Sequence, residues 1–82
     1  MRDTSVLPSI FGALLKQMRT ESGLSQETLA AECGLDRSYI SLLENGKHQP
    51  SLASMILIAD ALGTSAARML SQIEGQIPEL KE

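Results

Sequence analysis

Stop and start signals recur along this chain at intervals too short for any long element. They are Gly23-Leu24-Ser25, Gly34-Leu35-Asp36, Asn45-Gly46 followed by Pro50-Ser51, and Gly63 followed by Ser65. A glycine after an apolar stripe closes a helix, and a Ser or Asp side chain opens the next by accepting main-chain N–H bonds. Between these signals the apolar residues fall at helical spacing. Ile10, Phe11, Leu14, Leu15 and Met18 form a first stripe that starts near Pro8, a residue suited to a first helical turn. A second helix is predicted over 25–33, burying Leu29 and Ala30. A third spans 36–45, with Asp36 as its cap and Ile40 and Leu43 on its inner face. The fourth starts at Pro50-Ser51 and turns Leu52, Met55, Ile58, Ala59 and Leu62 inward. The fifth runs from about Ser65 through Met69, Leu70 and Ile73.

Eighty-two residues make one small domain, near the size at which a single core is just sufficient. Its apolar residues are mostly Leu, Ile, Ala and Met, with Phe11 and Tyr39 the only aromatics, which favours helix over sheet. Cys33 stands alone, so an intramolecular disulfide or a cysteine-rich metal site is excluded. Nothing near the N-terminus reads as a secretory signal or membrane span, and a soluble cytoplasmic protein is expected. One histidine, no glycine-rich phosphate loop and no paired carboxylates leave catalysis without equipment. No enzyme activity, cofactor, metal or small-molecule effector is expected. The net charge is −3, and the acidity leans toward the C-terminal part: residues 1–48 carry 5 Lys+Arg against 6 Asp+Glu, residues 49–82 carry 2 against 4. Bulk charge therefore does not draw this chain to nucleic acid, although an average says little about one face.

The pair of short helices around "ECGLD" is the distinctive unit. Two helices joined by a short glycine-containing turn make a helix-turn-helix, whose second helix lies in the major groove. The residues around it carry more weight: Arg19, Gly23-Leu24-Ser25-Gln26, Leu29-Ala30, Gly34, Ile40-Ser41, Glu44-Asn45-Gly46-Lys47, Pro50-Ser51-Leu52 and Ile58-Ala59-Asp60-Ala61-Leu62-Gly63. In this order they resemble the Cro/phage-repressor type, or xenobiotic-response-element, family of bacterial regulators over residues 10–73. The segment "LDRSYIS" is also similar to the controller proteins of restriction-modification systems. The resemblance implies an all-α, compact five-helix domain of the lambda-repressor kind that binds a palindromic double-stranded DNA operator as a homodimer. It divides the chain into an N-terminal arm, 1–7, a DNA-binding domain with its dimerisation surface, 8–74, and a frayed tail, 75–82.

Against that chemistry, Arg37 and Ser38 fall at the first helical positions after the cap and are the leading base contacts. Arg pairs bidentately with guanine, whereas a Ser hydroxyl discriminates less. Leu42 lies one turn past Ser38 and has two readings, a contact to a thymine methyl or a marginal core residue. Tyr39 is similarly placed between base contact and partial burial of its ring. Gln26 at the start of the second helix, with Asn45, Lys47 and His48 after the third, are the candidate phosphate contacts. The resemblance further implies a structural ion pair between Arg19 and Glu44 that braces the reading helix, its loss costing stability more than base preference. Ile56 and Leu57 make the fourth helix apolar around more of its circumference than one core needs, and with Met69, Leu70 and Ile73 they form a candidate dimer interface. The alternative is a helical protein-interaction or antitoxin-like module that does not itself read DNA.

Overall fold

The computed structural model describes residues 1–80. A 3₁₀ turn, Thr4–Val6, leads into α1 (Leu7–Glu21), followed by α2 (Gln26–Cys33), α3 (Arg37–Glu44), α4 (Leu52–Ala61) and α5 (Ala66–Glu74). Three of the caps work through their side chains: Ser25 Oγ accepts from Thr28 N at 3.0 Å, Ser51 Oγ from Ser54 N at 3.0 Å, and Ser65 Oγ from Arg68 N at 3.1 Å. Each satisfies one of the donors that a helix start leaves free. Asp36 departs from expectation. Its backbone has the extended geometry of a cap, but its side chain makes no capping hydrogen bond.

The turn between α2 and α3 is built on Gly34 in the left-handed region, φ +69°. There Leu35 N reaches back to Ala30 O at 2.9 Å, and Gly34 N to Ala31 O at 3.3 Å. This paired closure is the Schellman motif, and it needs a residue without Cβ strain at positive φ. The same pattern ends α3, where Lys47 N bonds Leu42 O at 2.9 Å and Gly46 N bonds Leu43 O at 3.1 Å.

One core serves all five helices. Phe11 and Leu15 from α1, Leu29 from α2, Ile40 and Leu43 from α3, Ile58 from α4 and Met69 from α5 are its largest buried side chains. α1 packs against α3 and α5, while α2 packs against α3 and α4. Where α1 meets α3 the backbones nearly touch. A Cβ added at Gly12 would lie 2.8 Å from Glu44 O and closer still to Leu43 O.

Several expectations are corrected here. Leu52 does not point into the core but is 79% exposed. It shares a helical face with Met55 yet sits in the first turn of α4, at the rim of an apolar groove also lined by Leu7, Phe11, Pro50, Leu70 and Ile73. Ser54 is buried in that turn instead, accepting from Ser51 Oγ at 2.9 Å. Met69 and Ile73 are removed from the candidate dimer surface, because this i, i+4 pair faces inward and is 0% and 3% exposed. The described part of the expected frayed tail folds back on the expected arm. Asp3 N donates to Pro78 O at 2.8 Å, Leu80 N to Met1 O at 2.7 Å, and Arg2 pairs with Glu74 at 3.2 Å. α1 itself already begins at Leu7, inside the expected arm. The last two tail residues, 81 and 82, lie outside the described residues.

The close approach at Gly12 makes a prediction. Gly12→Ala gains helix propensity but forces α3 away from α1, and overpacking of this kind costs about 1–3 kcal/mol. A thermal melt should show the midpoint lowered by roughly 4–8 °C per kcal/mol. A midpoint at or above that of the parent would refute the packing account.

Candidate nucleic-acid interface

α3 has two unlike sides. Ile40 and Leu43, three residues apart, are 0% exposed and fix the inner side in the core. On the outer side Ser38, Leu42 and Asn45 follow one another at i, i+4 and i+7, with Arg37 at one edge, and all four are exposed. Leu42 is 38% exposed, so its side chain is available to a partner but is not free of the protein. Ser41, half-buried beside them, lies 3.5 Å from the amide of Asn45. Tyr39 stands at the opposite edge, half-buried against the core, and lines a shallow depression with Gly34, Leu35, Asp36 and Ser54.

What holds this face in place is a chain of hydrogen bonds from the scaffold to its edge. Arg19 of α1 donates through Nη1 to Leu24 O at 2.8 Å, through Nη2 to Glu44 Oε1 at 2.9 Å, and through Nε to Glu44 Oε2 at 2.5 Å. The two side chains are 11% and 2% exposed, so the bidentate pair between α1 and α3 is almost fully withdrawn from water. Gln26 Nε2, from the first turn of α2, donates to the same Glu44 Oε1 at 3.1 Å. Gln26 Oε1 in turn accepts from Arg37 Nη1 at 3.4 Å. α1, α2 and both ends of α3 are joined in this way.

The charges follow from the geometry. Burial pushes the Glu44 carboxyl up, but the hydrogen bonds from Arg19 and Gln26, aided by the positive charges of Arg19 and Lys16, outweigh it and hold Glu44 below the usual carboxylate range. The Arg19 guanidinium is raised by its bond to Glu44, against the opposing effect of burial. Cys33 is elsewhere and inert: burial, then the charge of Glu32, pushes its thiol up, and its sulfur rests 3.7 Å from Leu57 O.

The remaining candidates lie around α3. Asn45 occupies the C-cap, and Lys47 and His48 are exposed on the loop after it. Gln26 commits one N–H of its side-chain amide to Glu44, which leaves the second N–H of Nε2 and the main chain at the start of α2 for a phosphate. The roles of Gly12 and of the Leu24 carbonyl were not anticipated. An isolated glycine inside a helical pattern is itself a sign of close packing; no pattern in the sequence marks one particular carbonyl. Among the described residues no cluster of His, Cys, Asp and Glu is placed to hold a metal, and no single helix is long and apolar enough to cross a membrane.

Two short helices joined by a tight glycine turn, the second buried on one side and polar on the other, define a helix-turn-helix protein. The helix-turn-helix family designated HTH_3 matches residues 15–69, and the chain belongs to it. It is 45% identical over 65 residues to control protein C.MunI of a Mycoplasma species, covering 78% of this chain and 88% of that protein. It is 40% identical over 68 residues to control protein C.BamHI of Bacillus amyloliquefaciens, covering 82% and 84% respectively. The crystal structure of the restriction-modification controller protein C.AhdI from Aeromonas hydrophila superposes with a TM-score of 0.73 at 42% identity, over 76% of this chain and 94% of that one.

Breaking the buried pair leaves a charge without its partner, which typically costs about 3–5 kcal/mol. Glu44→Ala should therefore lower the melting temperature steeply, and an unchanged midpoint would contradict the bracing role. The pH dependence has a definite sign. With its folded value depressed, Glu44 contributes fully above the ordinary carboxylate value of about 4.3, and the contribution is lost as pH falls through the folded value. Acid titration of stability should be shallower in Glu44→Ala than in the parent.

Proposed function

We propose that this chain is a sequence-specific double-stranded DNA-binding transcriptional regulator that reads a palindromic operator as a homodimer. The observation that carries the reading is the outer face of α3, Arg37, Ser38, Leu42 and Asn45, exposed on a helix whose other side is wholly buried. A recognition helix needs that division: anchored on one side, and supplied with hydrogen-bonding and small apolar groups on the other. Likeness to control proteins and to a restriction-modification controller supports a controller role in such a system.

In this reading α3 lies in the major groove. Arg37 offers two parallel N–H donors to the O6 and N7 of a guanine, Ser38 a hydroxyl to a neighbouring base edge, and Leu42 a methyl surface to a thymine. Tyr39 contributes at the rim through its hydroxyl. Phosphates are met by Lys47, His48, the Asn45 amide and the main-chain N–H groups at the start of α2 around Gln26. These contacts set register, and the face of α3 sets sequence. No step of this chemistry forms or breaks a covalent bond.

A second copy completes the reader. Ile56, Leu57 and Leu70 are 52%, 43% and 42% exposed, an apolar surface on α4 and α5 that a two-fold interface would cover. Two recognition helices related by that axis stand about 34 Å apart, one turn of DNA, which demands a palindrome. With few cations on each subunit, the affinity should fall only modestly with salt.

Selection from random-sequence DNA, followed by salt titration, tests the reading. An enriched palindrome with half-sites about one helical turn apart is expected. No enriched site and no binding at low salt would overturn it in favour of a protein-interaction module. Arg37→Ala should cost about 1–3 kcal/mol at one base-pair position and relax the preference there. Lys47→Ala should weaken all sequences alike and reduce the salt slope by about one.

A further inference from the structure

The chain holds a single asparagine, Asn45, and it stands directly before a glycine at the end of α3. In such a dipeptide the main-chain nitrogen of the second residue can attack the side-chain carbonyl carbon of the first, because glycine brings no Cβ to obstruct the approach. The reaction needs only water. As Gly46 N bonds to Asn45 Cγ, the Cγ–Nδ2 bond breaks and ammonia leaves with the proton from Gly46 N, closing a cyclic imide. Water then opens the ring at either carbonyl carbon: attack at Cγ gives an aspartate, and attack at the Asn45 main-chain carbon gives an isoaspartate whose chain runs through the side chain. Either product carries a carboxylate where an amide stood. The fold supplies both the dipeptide and its restraint. Gly46 has φ +69°, and a Cβ there would lie 3.2 Å from Ser9 Oγ and 3.3 Å from Ser9 Cα, so a larger residue is strained and crowded at once. The attacking nitrogen, however, donates to Leu43 O at 3.1 Å, and Lys47 N closes the same turn on Leu42 O at 2.9 Å. With Asn45 at ψ 4°, Gly46 N eclipses the main-chain nitrogen of Asn45 and is rotated one tetrahedral position away from Cβ. The ring cannot close from this geometry. Asn45 must first turn about ψ, which breaks the bond to Leu43 O, so reaction is confined to moments when the end of α3 is open.

We propose that Asn45-Gly46 is a self-modification site gated by the closure that ends α3, at which deamidation weakens DNA binding in proportion to the time that closure has spent open. The consequence for DNA rests on the reading of α3 as the recognition helix; the chemistry at the site does not. Asn45 follows Ser38 and Leu42 on the exposed side of α3, so a new carboxylate there faces the phosphates that Lys47 and His48 are placed to meet. Contact between like charges of this kind is strongly unfavourable. The isoaspartyl product also lengthens the main chain inside the turn that Lys47 N and Leu42 O close, one residue beyond the pair of Glu44 with Arg19. When opening and closing are fast relative to the chemistry, the rate follows the population of the open form. Gly12 bears directly on that population. Leu43 O, the acceptor that restrains the attacking nitrogen, is also the atom that a Cβ at Gly12 would press most closely.

The test begins with protein held in mildly alkaline buffer, native or unfolded in urea, and peptide-mapped over time by mass spectrometry, which reads the exchange of NH2 for OH at the one asparagine. The native protein should convert about tenfold or more slowly than the unfolded chain. Under native conditions Gly12→Ala should convert about fivefold or more faster than the parent, and Glu44→Ala, which frees the same end of α3 without crowding α1, should act in the same direction. Equal rates for the native and unfolded chain, or no acceleration in either variant although its melting temperature is lowered, would overturn the gating. No conversion in urea would overturn the site. Ion exchange then separates converted from unconverted protein in one aged sample. On the operator obtained by selection, the unconverted fraction should bind as fresh protein does and the converted fraction about tenfold or more weakly. Asn45→Asp, which carries the charge on an ordinary main chain, should lose affinity while its melting temperature shows it folded. If the converted fraction and folded Asn45→Asp both bind like the parent, the consequence for DNA is overturned. If fresh parent protein binds no operator, the regulator reading itself fails and that consequence with it, while the conversion rates still decide the chemistry at Asn45.

Discussion

One ion pair, Arg19 to Glu44, decides where the third helix stands relative to everything else. α3 has eight residues, a rod of about 12 Å, and a helix so short has no stability of its own in water. Ile40 and Leu43 anchor it in the core, but apolar contact is non-directional and tolerates small slides and rotations. A bidentate pair does not. It fixes the end of α3 to the end of α1, and Gly12 lets the two backbones come close enough for the side chains to meet. The cost of withdrawing both charges from water offsets much of their attraction, so the pair contributes placement more than net stability.

The same interaction explains how an acidic chain can carry the DNA-reading face proposed for α3. With net charge −3, long-range attraction to the phosphate backbone is weak, and nonspecific binding along a duplex is limited accordingly. Recognition must then come from a few side chains held in the right place. The two carboxylates closest in sequence to the reading face are handled differently. Glu44 is turned inward and neutralised by Arg19, while Asp36 stands exposed at the start of α3. Lys47 and His48 follow, exposed, on the loop beyond the helix, where the proposed contacts to phosphate would add affinity without adding sequence information.

Much of this was legible in the residues because it depends on local rules. The helix boundaries followed from Ser25, Ser51 and Ser65 as caps and from the glycines as stops, and each of those rules acts over a few residues. Ile40 and Leu43 were readable as the inner face of α3 for the same reason, leaving Arg37, Ser38 and Leu42 outside. What was misread depends on where a helix ends in space. Leu52 has the right helical angle but lies beyond the edge of the core, and Met69 and Ile73 were assigned to a surface although they complete the core with α1 and α4. The pairing of residues 1–3 with residues 78–80 joins segments far apart in sequence, and no local pattern announces it. Gln26 shows both sides of the matter. Its place beside the reading helix followed from its position in the motif, but its engagement with Glu44 and Arg37 required the packed arrangement of α1, α2 and α3.

The central claim is that DNA is met by the outer face of a rigidly held α3. Amide and methyl chemical-shift mapping, with the selected operator added to the isotopically labelled protein, tests it most directly. The account predicts that the amides of Arg37, Ser38 and Asn45 and the methyls of Leu42 shift strongly, while the methyls of Ile40 and Leu43 change little. Shifts concentrated on α4 and α5 around Ile56 and Leu70, with the α3 signals unmoved, would contradict it.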